Sequence, residues 1–147
     1  KFNLGKGENN MSKIQLQTVT DAYSYMLIYV AGVDGEITKE EVNTHVGILT
    51  EWMAHFQTDQ DGDGDVDTDD LQLAIKRAVD TYCELDGKEA LNVLANCVVF
   101  VKKAVDKQTH VAIVERLRTL TGADGTITER EAGLVDKIEE LMKNDDV

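Results

Sequence analysis

An acidic segment of twelve residues, 59–70, has the residue types and spacing of an EF-hand calcium loop. Carboxylate and carbonyl oxygens are the ligands that a hard cation prefers, and the segment supplies them at alternate positions. Gly64 permits the sharp turn at position six, and Val66 provides the inward-facing apolar residue at position eight. The predicted metal ligands are Asp59, Asp61, Asp63, Asp65 (through its backbone carbonyl), Asp67 (through a bound water) and Asp70. The competing interpretation is an acidic linker that stays solvated through self-repulsion.

Position twelve departs from the pattern, because Asp70 stands where glutamate is expected. The longer side chain of glutamate gives both oxygens to the ion, whereas aspartate is expected to give one. Fewer ligands lower the affinity for calcium and favour a smaller, octahedral ion. The sequence therefore predicts Ca²⁺ as the cofactor and Mg²⁺ as the second choice.

The composition favours a helical, cation-binding protein. The chain of 147 residues contains no proline, has 5% aromatic residues and carries a formal net charge of −13. The expected organisation is a flexible N-terminal segment, 1–17, followed by a single helical domain, 18–147. The negative charge argues against a nucleic-acid partner, since phosphate binding requires clustered Lys and Arg. No apolar run is long enough to insert into a membrane, so the sequence predicts a soluble protein.

No arrangement of residues typical of an enzyme occurs in the chain. The three histidines, His45, His55 and His110, are scattered, and lone histidines on helices are more often packed or solvated than catalytic. Cys83 and Cys97 lack the spacing of a zinc or redox motif and are predicted to be small buried apolar residues. The protein is therefore expected to be non-enzymatic.

Apolar periodicity predicts a compact all-α bundle of six to seven helices that holds the acidic loop between two of them. The first helix, 21–31, is apolar nearly all round and is expected to lie at the centre. A long helix is predicted over 88–106, and Thr109 is predicted to cap the next one, which ends at Gly122. The apolar positions predicted to mark the helix faces include Val42, Val46, Val79, Leu91 and Val111.

Two near-identical segments, 33–38 and 123–128, indicate an internal helix-pair repeat with pseudo-twofold symmetry. Each reads as the last part of an EF-hand loop without its first ligands, and each opens a helix with a Thr-x-x-Glu capping box. Two interpretations of Asp34, Glu41, Asp124 and Glu131 stay open. These residues either stabilise turns and helix ends, or gather across the pseudo-twofold axis into a second metal site or acidic recognition patch. Hydrolysis at such a cluster would need two metal ions.

The duplicated Ala/Val-Asp-Gly-x-Ile-Thr-x-x-Glu segments resemble the tellurite-resistance TerB family over roughly residues 18–143. The resemblance implies a compact helical domain, a cytoplasmic location, a role in the response to tellurite or other chemical stress, and a membrane-bound TerC-type partner. It also implies an acidic, metal-binding face. The positions of this chain that match it are Asp34, Glu40, Glu41, Asp124, Glu129 and Glu131. The loop 59–70 departs from the family pattern, in which a short linker joins these helices.

The leading hypothesis from the sequence is a non-enzymatic, calcium-binding stress-response protein of the TerB type. The alternative is an EF-hand calcium sensor or buffer that acts through a partner protein. Such loops usually work in pairs, and one complete loop occurs here.

Overall fold

The computed structural model of the chain describes residues 16–33, 37–55, 68–122, 125 and 128–143. Within these ranges the chain is all-helical, as the sequence predicts, and contains no strand. The six helices are α1 (Val19–Gly32), α2 (Lys39–His55), α3 (Thr68–Glu84), α4 (Gly87–Ala104), α5 (Lys107–Thr121) and α6 (Glu129–Lys143). None of these helices has the length and apolar character needed to cross a membrane.

The central position predicted for the first helix is confirmed, because α1 packs against all five other helices. Its side chains are buried on every side, including Tyr23, Tyr25, Met26 and Leu27. A helix surrounded by other helices has no face turned to water, which explains why its sequence is apolar nearly all round. Trp52 of α2 also lies in the core, as predicted.

Side-chain caps fix the helix starts, and one of them differs from the prediction. Asp106 is the N-cap of α5, and its carboxylate accepts hydrogen bonds from the backbone N–H and the hydroxyl of Thr109 at 2.8 and 2.7 Å. The prediction that Thr109 is the cap is therefore wrong by three residues. The preceding helix correspondingly ends at Ala104 and not at Asp106. Either residue type can cap a helix, and here the acidic residue, Asp106, is the one that caps α5.

The buried faces of the outer helices are rotated relative to several predicted apolar positions. Val42, Val46, Val79, Leu91 and Val111 are all exposed. In α2 the buried face instead carries Glu41 and His45 alongside Ile48, Leu49, Trp52 and Met53. Cys83 is likewise exposed, contrary to prediction, whereas Cys97 is fully buried as predicted.

The end of α1 packs closely under a tyrosine of α3. Tyr82 donates a hydrogen bond from its hydroxyl to the carbonyl of Gly32 at 3.3 Å, and a Cβ at Gly32 would lie 2.8 Å from that hydroxyl. The Tyr82 ring also meets Tyr25 and Tyr29 edge-on, which restricts its movement. We expect Gly32→Ala to lower the free energy of unfolding in urea by about 1 to 3 kcal/mol through overpacking.

Gly47, in the middle of α2, provides the matched control. A Cβ there would meet no atom within 4 Å. Alanine favours the helix over glycine by roughly 0.5 to 1 kcal/mol, so Gly47→Ala should raise the free energy of unfolding. Changes of the same sign in both variants would show that Tyr82 yields to the new methyl group and would contradict the close packing.

Candidate metal loop and the paired carboxylates

The predicted calcium loop lies between two helices that pack against each other and against α1. Its first nine positions, including Asp59, Asp61, Asp63, Asp65 and Asp67, fall outside the described residues. α2 ends at His55 before the loop, and α3 begins at Thr68, its tenth position. The chain therefore has the helix–loop–helix order that the motif requires.

Asp70, the predicted closing ligand, lies in the first turn of α3 and is fully buried. The Cα–Cβ bonds of a helix tilt toward its N-terminus, so a side chain in the first turn is directed back toward the preceding loop. A carboxylate is buried only where polar groups or a cation compensate for its lost hydration. The position and burial of Asp70 thus fit an inward-facing loop ligand.

A buried ion pair ties α3 to the central helix. The Nη1 of Arg77 donates to the Oδ2 of Asp21 at 3.1 Å, and Asp21 is fully buried. The same oxygen accepts from the backbone N–H groups of Gln17 and Thr18 at 2.8 and 3.2 Å. The sequence prediction began the first helix at residue 21 and gave Asp21 no role. Thr18, three residues earlier, was the signal that it belongs to a capping box.

The two repeats form matching capping boxes. The Thr38 N–H donates to the Glu41 Oε1 at 2.9 Å, and the Glu41 N–H donates to the Thr38 Oγ1 at 3.1 Å. In the second copy the corresponding distances between Thr128 and Glu131 are 3.1 and 3.2 Å. The interpretation that these glutamates stabilise helix starts is confirmed.

The same two glutamates also meet across the bundle. Glu41 and Glu131 are each 2% exposed, and the Glu131 carboxyl group lies beside that of Glu41. Burial raises the pKa of Glu41 to about 7, and the neighbouring Glu131 contributes to that rise. Two adjacent buried carboxylates are costly to ionise together, so Glu41 holds a proton more readily than an exposed glutamate does. The repeat therefore caps two helices and brings two acids together.

The other members of the predicted second acidic site lie elsewhere. Glu40 and Glu129 are exposed, and Asp34 and Asp124 fall outside the described residues. Among the residues that the structure describes, no group of three or more His, Cys, Asp or Glu side chains is placed to hold a metal ion. A cation at the Glu41–Glu131 pair would also have to displace the proton that the raised pKa of Glu41 favours.

His45 is a buried polar residue whose role the sequence did not reveal. It is 2% exposed, its Nε2 lies 3.1 Å from the Oγ of Ser24, and burial lowers its pKa to about 4. It follows Glu41 by four residues and therefore lies on the same face of α2. That spacing was the available signal that one polar stripe of α2 faces inward.

Comparison of the chain with protein-family models, with curated proteins and with solved structures finds no match.

Proposed function

We propose that the chain is a non-enzymatic divalent-cation-binding protein in which residues 59–70 hold one calcium ion. One observation carries the proposal: a twelve-residue segment with the calcium-loop spacing joins two packed helices, and its closing residue, Asp70, is buried in the first turn of α3.

The proposed ligands of the ion are all oxygen atoms of the loop or of a water that it holds. Asp59, Asp61 and Asp63 contribute carboxylates, Asp65 its backbone carbonyl, and Asp67 a water that it holds in place. Asp70 closes the site with its shorter side chain. With fewer protein ligands than a glutamate would allow, the site accepts magnesium as well as calcium.

The proposed mechanism is electrostatic. Without a cation the close carboxylates of the loop repel one another, and a divalent ion converts this repulsion into coordination. α3 is held to α1 by the Arg77–Asp21 pair. Ordering of the loop would therefore move α2 relative to α3 and not α3 relative to α1. The ion would thereby set the relative orientation of these helices and of the surface they present.

The physiological setting that we propose is the cytoplasmic response to tellurite or related chemical stress. Its support is the resemblance of the duplicated Asp-Gly segments to the TerB family, together with a helical bundle in which the two repeats face each other through Glu41 and Glu131. A membrane-bound TerC-type protein is the proposed partner. The Glu41–Glu131 pair, with Asp34 and Asp124, is the candidate for a second cation site.

The alternative function is an EF-hand calcium sensor or buffer that acts through a partner protein. A sensor exposes a Met-rich groove when calcium binds. The methionines of the described residues, Met26, Met53 and Met142, instead lie on three different helices, α1, α2 and α6. Their dispersal favours a structural or regulatory ion over a sensor of that type.

Calorimetric titration with calcium and with magnesium tests the proposal on the parent chain and on Asp59→Ala/Asp63→Ala. We expect one site in the parent and none in the double variant, because two of the three carboxylates at the start of the loop are removed. Asp145→Ala/Asp146→Ala removes the same charge outside the loop and should leave binding unchanged.

Other outcomes redirect the proposal in defined ways. Heat from two or more sites, some of which survive the loop substitutions, would move the cation site to the repeat carboxylates. A parent chain that binds neither ion at millimolar concentration would contradict a calcium module altogether.

A further inference from the structure

A groove of about 590 Å³ between α2 and α5 has a floor of aromatic side chains. Tyr23 of α1 and Trp52 of α2 lie there with their ring centroids 4.5 Å apart. Ile48 and Ile113 line it from the two flanking helices. Its volume falls in the range of small-ligand sites, which combine apolar walls with a few fixed polar groups.

The hydroxyl of Tyr23 distinguishes this groove from the rest of the core. Tyr23 is 2% exposed as a whole residue, and its hydroxyl makes no hydrogen bond within the described part of the chain. The buried tyrosine Tyr25 donates to the Ala90 carbonyl at 2.9 Å, and the Trp52 indole N–H donates to Thr20 at 3.0 Å. No buried side-chain nitrogen or oxygen of the described residues lacks a partner, so the Tyr23 hydroxyl opens into the groove, where it can hydrogen-bond to water or to a ligand.

Arg116 supplies a cation at the rim of the same groove. Its Nε donates to the Oε1 of Glu51 at 2.6 Å. A guanidinium has five N–H donors, and within the described residues the Arg116 group makes no second hydrogen bond. The terminal nitrogens are therefore available while Glu51 holds the side chain in place.

We propose that this groove binds a small planar aromatic carboxylate, whose ring lies against Trp52 and Ile113 and whose oxygens accept hydrogen bonds from Arg116 and Tyr23. A carboxylate matches the planar donors of a guanidinium better than any neutral acceptor does. An ammonium ligand would meet the guanidinium of Arg116 at close range, and like charges repel. The chain's net charge of −13 repels anions at long range, so the affinity must come from these local contacts.

Trp52 is the chain's single tryptophan, so its fluorescence reports binding in this groove directly. Titration with benzoate should produce a saturable change, with a dissociation constant in the millimolar range or below. Benzamide and benzylamine, which keep the ring and change the charge, should bind at least about tenfold more weakly, because charge-assisted hydrogen bonds are lost.

Two arginines of α5 give a matched pair of variants. Arg116→Gln should weaken benzoate binding by about tenfold or more, whereas Arg118→Gln, whose side chain pairs with Asp136 and Glu139 of α6, should leave it unchanged. Tyr23→Phe should weaken binding by roughly three- to tenfold. Both arginines are at least one-third exposed, so their replacement leaves the core intact.

Three results would overturn the assignment: no saturable signal with benzoate, equal affinity for benzoate and benzylamine, or equal effects of Arg116→Gln and Arg118→Gln. Far-UV circular dichroism and urea unfolding of each variant separate a lost site from a lost fold. A Tyr23→Phe variant that is folded and binds benzoate like the parent would remove the phenol from the site and contradict the proposal.

Discussion

Replacing Arg77 with methionine should lower the free energy of unfolding by about 3 kcal/mol. Asp21 is fully buried, and its Oδ2 lies 3.1 Å from the Arg77 Nη1. Removing one partner of a buried ion pair leaves the other charge without compensation, which typically costs about 3 to 5 kcal/mol. The backbone N–H groups of Gln17 and Thr18 still reach Asp21, so we expect the lower end of that range.

Lys76 of the same helix provides the control. It forms an ion pair with Asp80, but its side chain is 69% exposed. Lys76→Met should change stability by less than about 1 kcal/mol, as is usual for surface pairs. Urea unfolding at neutral pH measures both variants. Similar small losses for the two substitutions would show that Asp21 does not depend on Arg77, and α3 would then lack the tether to α1 described above.

Glu41→Gln should stabilise the protein increasingly as the pH rises, by up to roughly 3 kcal/mol. The pKa of Glu41 is about 7 in the folded chain, compared with 4.5 for a free glutamate. A group whose pKa is raised by folding contributes its full stability below its unfolded pKa and loses it as the pH rises through the folded pKa. Glutamine can keep the capping hydrogen bond from Thr38 and cannot ionise, so the variant avoids this loss.

His45 contributes a pH dependence of the opposite sign. Its pKa is lowered to about 4 in the folded chain from 6.5 when unfolded. The unfolded chain therefore takes up a proton at His45 as the pH falls below about 6.5, and stability is lost down to about pH 4. In the parent, Glu41 and His45 both change the free energy of unfolding between about pH 4.5 and 6.5. Only the difference in that free energy between Glu41→Gln and the parent isolates the contribution of Glu41.

Urea unfolding at several values between about pH 5 and pH 8 measures that difference. Glu40→Gln removes a neighbouring, exposed carboxylate from the same helix. The difference in free energy of unfolding between this variant and the parent should hardly vary with pH. If the Glu41→Gln difference is equally independent of pH, folding does not raise the pKa of Glu41.

The helices and their order were predictable because the apolar periodicity of each segment is local information. The central position of α1 followed in the same way, since an all-round apolar helix must be covered on every side. The start of α5 was not predictable, because Asp106 and Thr109 can both serve as an N-cap. Which of them is used depends on where α4 breaks, and that depends on packing.

The face of α2 was mispredicted for a physical reason. Periodicity treats Val42 and Val46 as core residues and Glu41 and His45 as solvated ones, yet the polar pair is buried and the valines are exposed. Glu41 is buried because the backbone N–H of Thr38 donates to its carboxyl group, and His45 is buried because its ring nitrogen meets the hydroxyl of Ser24. Such partners come from other parts of the chain, and a single-segment pattern contains no information about them.

The candidate sites were partly predictable. The near-identical repeats and their capping-box spacing singled out Glu41 and Glu131, which are buried, whereas Glu40 and Glu129, which the family resemblance added, lie at the surface. The aromatic groove required the tertiary structure, because Tyr23, Trp52 and Arg116 lie on three separate helices.

Equilibrium dialysis of the unaltered chain against radioactive calcium tests the central claim most directly, because it counts bound ions without a reporter. We expect one calcium ion per chain, bound in the micromolar to millimolar range and released by a chelator. Retention of the ion by Asp59→Ala/Asp63→Ala, or no retained calcium in the parent chain at millimolar concentration, would contradict the account.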